Sequence, residues 1–121
     1  MFDKPKISVI DDDEAVRDAL GDLLGALGYP VQTFESARDF IDRAGSATSA
    51  CLITDVQMPG MSGFELMEHM ARTGRSIPTI LISAHTQQAM QSRAARQGAV
   101  AFLRKPIRQD ELVASLRRAV G

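Results

Sequence analysis

The chain has little of what marks several functional classes. One cysteine, Cys51, stands among 121 residues, so no disulfide can form within the chain, and its apolar neighbours suit a small buried side chain. A reducing compartment agrees with that. No apolar run approaches the roughly 18 residues of a membrane span, and no charged start leads into a signal-peptide core. The expectation is a cytoplasmic chain with no membrane partner. Neither sign of charge dominates: 14 Lys and Arg stand against 15 Asp and Glu, a formal net charge of -1. This argues against a large basic footprint, and no direct nucleic-acid binding is expected of this segment. The two histidines, His69 and His85, lie a whole β-α unit apart with no spaced cysteine, which argues against zinc; His69 reads as a solvated helix residue. No G-x-x-x-x-G-K-[ST] loop is present, so Gly60 and Gly63 read as turn residues.

What is present is ordinary in proportion. Apolar residues make up 45% and charged residues 24%, and a chain of this length suits one domain, 1–121, with one core. Short apolar runs alternate with helical periods. "ISVI" (7–10) suits a strand buried on both faces. Val16, Leu20, Leu23, Leu24 and Leu27 then follow one helical face to Gly28. "PVQTF" (30–34) reads as a second strand, Ser36 as the N-cap of a helix carrying Phe40, Ile41 and Ala44 on one side before Gly45, and 45–49 as a small polar linker. "ACLIT" (50–54) gives a third strand. Ser62 and Glu65 match a capping box, opening a helix with Phe64, Met67, Met70 and Ala71 inward. "PTILIS" (78–83) and "AVAFL" (99–103) complete the strands. The helix between them, 86–97, should pack lightly because Met90 is its one large apolar residue. Leu112, Val113, Leu116, Ala119 and Val120 face inward on a last helix.

Strict alternation with all-apolar strands points to an α/β fold with a parallel sheet and helices on both faces. Five units suit the flavodoxin-like order 2-1-3-4-5, a doubly wound (βα)5 sheet. Ligands of such sheets sit beyond the carboxyl ends of the strands, near the switch between the first and third. The residues there are Asp11 and Asp12, then Asp55, Ser83 and Lys105.

Three carboxylates brought together repel one another, so they must raise a pKa or recruit a cation. Magnesium, a hard ion with oxygen ligands, commonly takes one or two carboxylates plus a phosphate oxygen. Lys105 adds a positive charge and Ser83 a hydroxyl donor, together suited to an incoming phosphoryl group. Asp55 stands alone at its strand end and reads as the nucleophile; Asp11 and Asp12 pair as metal ligands, directly or through water. A plainer reading has Asp12 or Asp13 capping the first helix, and both readings can hold at once. Arg104 and Arg108 read as surface charges.

These residues also resemble a known family. "VIDDDEAVR" (9–17), "LITDVQMPGMSGFEL" (52–66), "LISAH" (81–85) and "GAVAFLRKPI" (98–107) are similar to the receiver domains of two-component response regulators. The resemblance implies that Asp55 accepts a phosphoryl group from the phosphohistidine of a sensor histidine kinase. It implies Mg2+ on Asp12, Asp55 and the backbone carbonyl of Gln57, with Asp11 acting mainly through water. Ser83 matches the switch hydroxyl, Phe102 the aromatic that moves with it, and Lys105 the family lysine, with a cis Lys105-Pro106 bond. Ser83 stands where threonine is commoner and Phe102 where tyrosine is commoner. Gln57 and His85 fall at the rim, where phosphate lifetime is tuned. The implied protein catalyses only its own phosphorylation and dephosphorylation, so it is no conventional enzyme. Implied partners are an output domain, such as a helix-turn-helix module, or a downstream protein, and a phosphorylation-dependent homodimer. Two other classes share parts of this pattern. A metal-dependent phosphohydrolase would need a second acid-base carboxylate and a substrate cap, and a flavin or nucleotide carrier a glycine- or hydroxyl-rich first turn.

Overall fold

The computed structural model describes residues 4–44 and 49–121. The elements alternate as β1 (Ile7–Ile10), α1 (Glu14–Ala26), β2 (Val31–Phe34), α2 (Ala37–Ala44), β3 (Cys51–Asp55), α3 (Gly63–Arg72), β4 (Thr79–Ser83), α4 (Gln88–Arg96), β5 (Ala101–Arg104) and α5 (Gln109–Val120). All strand pairs are parallel in the order β2-β1-β3-β4-β5. The doubly wound arrangement expected from the alternation is therefore the one observed. Most of the linker expected at 45–49, with Gly45 and the Ala44 side chain, lies outside the described residues.

Because side chains alternate across a strand, a strand with apolar residues on both faces feeds two cores. Val9, Ile53, Ile82 and Leu103 meet Leu20 and Leu24 of α1 and Leu112 and Leu116 of α5 on one face. On the other, Ile10 and Leu52 meet Phe40 of α2 and Leu66 and Met70 of α3, while Leu81 meets Phe64 and Ala94 of α4. Burial of so much apolar surface is the main favourable contribution to the fold.

Helix starts follow local chemistry. Asp13 is the N-cap of α1, accepting from the Ala15 N–H at 2.9 Å. Ser36 Oγ accepts from the Asp39 N–H at 3.0 Å, and Ser62 with Glu65 forms the expected capping box. Two expectations on α3 need correction. Ala71 is exposed and Leu66 is fully buried, since Leu66 and Met70, four residues apart, form the seam and Ala71 lies about 100° past it. His69 is half-buried instead of solvated. The fifth strand also begins at Ala101 instead of 99, because α4 ends in a turn at Gly98 (φ 81°) and the Ala99 N–H returns to the Ala94 carbonyl.

Candidate functional site

The carboxyl ends of β1, β3, β4 and β5 converge on one rim. Sheet register puts Asp55 opposite Ile82, one residue before Ser83, and puts Ser83 opposite Arg104, one residue before Lys105. One carboxylate oxygen from each of Asp11, Asp12 and Asp55 lies within 4.8 Å of the others. Asp11 and Asp55 are buried and Asp12 is exposed.

The Lys105 ammonium bridges the buried pair, 2.9 Å from Asp11 Oδ2 and 3.5 Å from Asp55 Oδ1. Burial works to lower the Lys105 pKa, but the two carboxylates hold it above its ordinary value. Asp55 is pushed up to about 6 by burial first and then by the charge of Asp11, with Lys105 pulling the other way. Positive charge at the rim is therefore insufficient for its carboxylates, and a cation would relieve the excess. Asp11 Oδ2 is buried, with the Lys105 ammonium as its ion-pair partner. The all-oxygen donor set, one exposed carboxylate beside two buried ones, fits a hard divalent ion such as Mg2+.

The surrounding backbone is tightly fixed. Asp11 Oδ1 accepts from the Asp13 N–H at 2.9 Å, and the Asp11 carbonyl accepts from Arg17 Nη1 at 2.7 Å. Gly63 donates its N–H to the Val56 carbonyl at 2.9 Å. A Cβ at Gly63 would lie 2.6 Å from the Asp55 carbonyl oxygen, so only glycine lets α3 start this close to the β3 end. Gly60 sits at φ 79°, as a turn residue. Ser83 is buried, and its Oγ accepts from the His85 N–H at 3.0 Å, which leaves the hydroxyl proton free to donate. Gln57 and His85 are exposed at the rim. The Lys105-Pro106 bond is cis, as expected.

Phe102 is half-buried and pairs with Leu81, two residues before Ser83, so it shares the Ser83 face of the sheet and packs with Phe64 and Ala94. Arg104 and Arg108 are exposed, and Arg108 pairs with Asp110 at 3.2 Å, as surface charges do. Sequence reasoning missed Arg17. Its spacing from the Asp13 cap is visible in the sequence, but its partner, the Asp11 backbone carbonyl, is not.

The family model for the response regulator receiver domain matches residues 7–117. The chain belongs to this family. The receiver is 40% identical over 114 residues to the response regulator protein TmoT of Ectopseudomonas mendocina, covering 94% of this chain and 52% of that protein. Against the transcriptional regulatory protein FixJ of Bradyrhizobium diazoefficiens it is 37% identical over 120 residues, 99% of this chain and 58% of FixJ. The chain thus spans about half the length of the curated relatives it matches. Among solved structures, FixJ-N superimposes with a TM-score of 0.88 at 33% identity over 99% of this chain and 95% of that one. The response regulator StyR gives 0.88 at 38% identity over 97% and 59%.

A receiver is a signalling domain that works by phosphorylation on an aspartate, and the acidic cluster for that chemistry is present here. Of the three classes weighed from the sequence, the family match decides for the receiver, which works by phosphorylation on an aspartate. Among the described residues no helix is long and apolar enough to cross a membrane.

Proposed function

We propose that residues 1–121 act as a phosphoacceptor module in which Asp55 takes a phosphoryl group from the phosphohistidine of a sensor histidine kinase. A carboxylate oxygen of Asp55 forms the new P–O bond as the P–N bond breaks, and the electron pair stays on the imidazole nitrogen. The observation that carries this reading is the Lys105 ammonium held between Asp11 and Asp55 at 2.9 and 3.5 Å, beside an exposed Asp12. Asp12, Asp55 and the Gln57 carbonyl would hold Mg2+, with Asp11 acting through water. Bound there, the ion would neutralise the carboxylates and draw charge from the phosphoryl oxygens. Lys105 offers the transferred group a second positive charge, and the free Ser83 proton offers it a hydrogen bond.

The switch follows from the same hydroxyl. Ser83 turning to the phosphate releases the His85 N–H, so the loop leading to α4 moves, and Phe102 on the same face repacks. Output then passes to an attached domain or a separate protein, in some cases through a homodimer. Relatives are transcriptional regulatory proteins roughly twice as long, which supports transcription as the output. The setting is cytoplasmic. Hydrolysis of the acyl phosphate, tuned by Gln57 and His85 at the rim, resets the module without making it a conventional enzyme.

Kinase docking has a seat beside the chemistry. An apolar groove of about 480 Å3 lies between α1 and the β5–α5 connection, lined by Ala15, Val16, Ala19, Leu23, Pro106 and Ile107, and Lys105 forms part of its wall. A helix carrying the phosphohistidine and laid in that groove would bring its imidazole to the acidic rim.

Incubation with acetyl phosphate and Mg2+ tests the core of this reading. One phosphoryl mass is expected on the wild type and none on Asp55→Asn, by intact mass spectrometry. Equal labelling of both proteins overturns it.

A further inference from the structure

The loop Asp11–Asp13 has to leave a buried strand, start a helix and hold three like charges in place. Two of its three residues are tied through their side chains. Asp11 Oδ1 accepts from the Asp13 N–H and Asp13 Oδ1 from the Ala15 N–H, each at 2.9 Å. Asp12 is exposed and has no such tie among the described residues. Its direction depends on the peptide that joins it to Asp11, and the carbonyl of that peptide accepts a 2.7 Å bond from Arg17 Nη1. Bonds from a charged donor at this length are among the stronger ones.

We propose that Arg17 is a positioning residue for the cation site: by clamping the Asp11 carbonyl it orients the Asp11–Asp12 peptide, so that the Asp12 carboxylate converges with Asp55. The inference rests on the metal reading above. Arg17 belongs to the first turns of α1, where its own N–H bonds the Asp13 carbonyl at 3.1 Å, so helix and loop hold each other in register. Among the described residues its guanidinium pairs with no carboxylate. It is therefore committed to the backbone and is not a neutraliser of the acidic cluster.

Two roles for this cation have opposite signs. As a mere positive neighbour, Arg17 would repel a divalent ion, and its removal would tighten binding. As a positioning group it lets the ligands meet, and its removal loosens binding. Losses on removing groups that orient metal ligands run to about tenfold or more.

Mg2+ binding is measured by calorimetry on wild type, Arg17→Gln and Arg17→Lys without any phosphoryl donor, amide spectra confirming the fold. The expected result is a Kd for Mg2+ raised about tenfold in Arg17→Gln, with a smaller rise in Arg17→Lys, which keeps the charge and can still donate to the carbonyl. Should Arg17→Gln fail to fold, the rise in Arg17→Lys decides. A variant that folds and binds Mg2+ as tightly as wild type, or more tightly, overturns the inference and leaves the metal site standing. Wild type that binds no Mg2+ overturns both.

Discussion

Burial and the neighbouring Asp11 charge raise the Asp55 carboxyl from 3.8 to about 6 in spite of Lys105 nearby, and this couples the site to the stability of the metal-free fold. A carboxyl whose folded pKa lies above its unfolded one favours the fold while protonated. Below about pH 4 both states carry the proton, so the group costs nothing. Between about pH 4 and 6 the unfolded state ionises first and stability falls, by an upper bound of about 3 kcal/mol from linkage. Solvent at the rim brings this nearer 1–2 kcal/mol. Asp55→Asn, which cannot ionise, should therefore be more stable than wild type by about 1–2 kcal/mol at pH 7.5, and equal to it near pH 4. Urea unfolding of both proteins in EDTA checks this; equal stability at the two pH values counts against it. Single residues were legible to different degrees. Asp11, Asp12, Asp55, Ser83 and Lys105 stood out because charge or a hydroxyl at the end of an apolar strand requires an explanation. Arg17 did not, because its partner is a backbone carbonyl, and where a carbonyl points is settled by the loop and not by residue type.

Helices α3 and α4 show how far element-level signals reach. The capping box of α3 was readable because Ser62 and Glu65 satisfy each other's backbone donors locally. The weakness of α4 was readable from composition, and only Ala94 of it is fully buried, with no side-chain cap at Gln87. What holds α4 was not readable. Arg93 reaches Glu68 of α3 at 3.0 Å and stacks 4.5 Å over the Phe64 ring, while Gln97 Nε2 donates to the Phe64 carbonyl at 3.2 Å. These contacts need α3 already in place, so no local spacing announces them. Exposed ion pairs contribute little, about 0–1 kcal/mol, so α4 should open more readily than its neighbour. Hydrogen exchange followed by mass spectrometry is expected to show α4 amides exchanging faster than those of α3, and faster again in Glu68→Gln. Protection of α4 equal to that of α3 would remove the case for α4 as a lightly held helix.

At the scale of the whole molecule, topology follows from a short list of constraints: strands apolar on both faces need helices on both sides, and right-handed crossovers leave few orders. The order β2-β1-β3-β4-β5 then makes neighbours of β1 and β3, and so of Asp11, Asp12 and Asp55, which are far apart in sequence. Strand edges were less legible, as at β5, because a helix-ending turn borrows residues that composition assigns to the strand. The same topology predicts a global effect of a local ion. A cation held by Asp12 and Asp55 would join the ends of β1 and β3 and be released on unfolding, so it would stabilise the folded chain by mass action. At ten times its Kd, Mg2+ should add about 1.4 kcal/mol and raise Tm by about 4–8 °C. Asp12 is exposed and outside the core, so Asp12→Asn should fold normally and lose most of that shift. Calorimetric melts with Mg2+ or with NaCl at matched ionic strength separate the two cases. A Tm rise of equal size in Asp12→Asn would place the ion somewhere other than this rim.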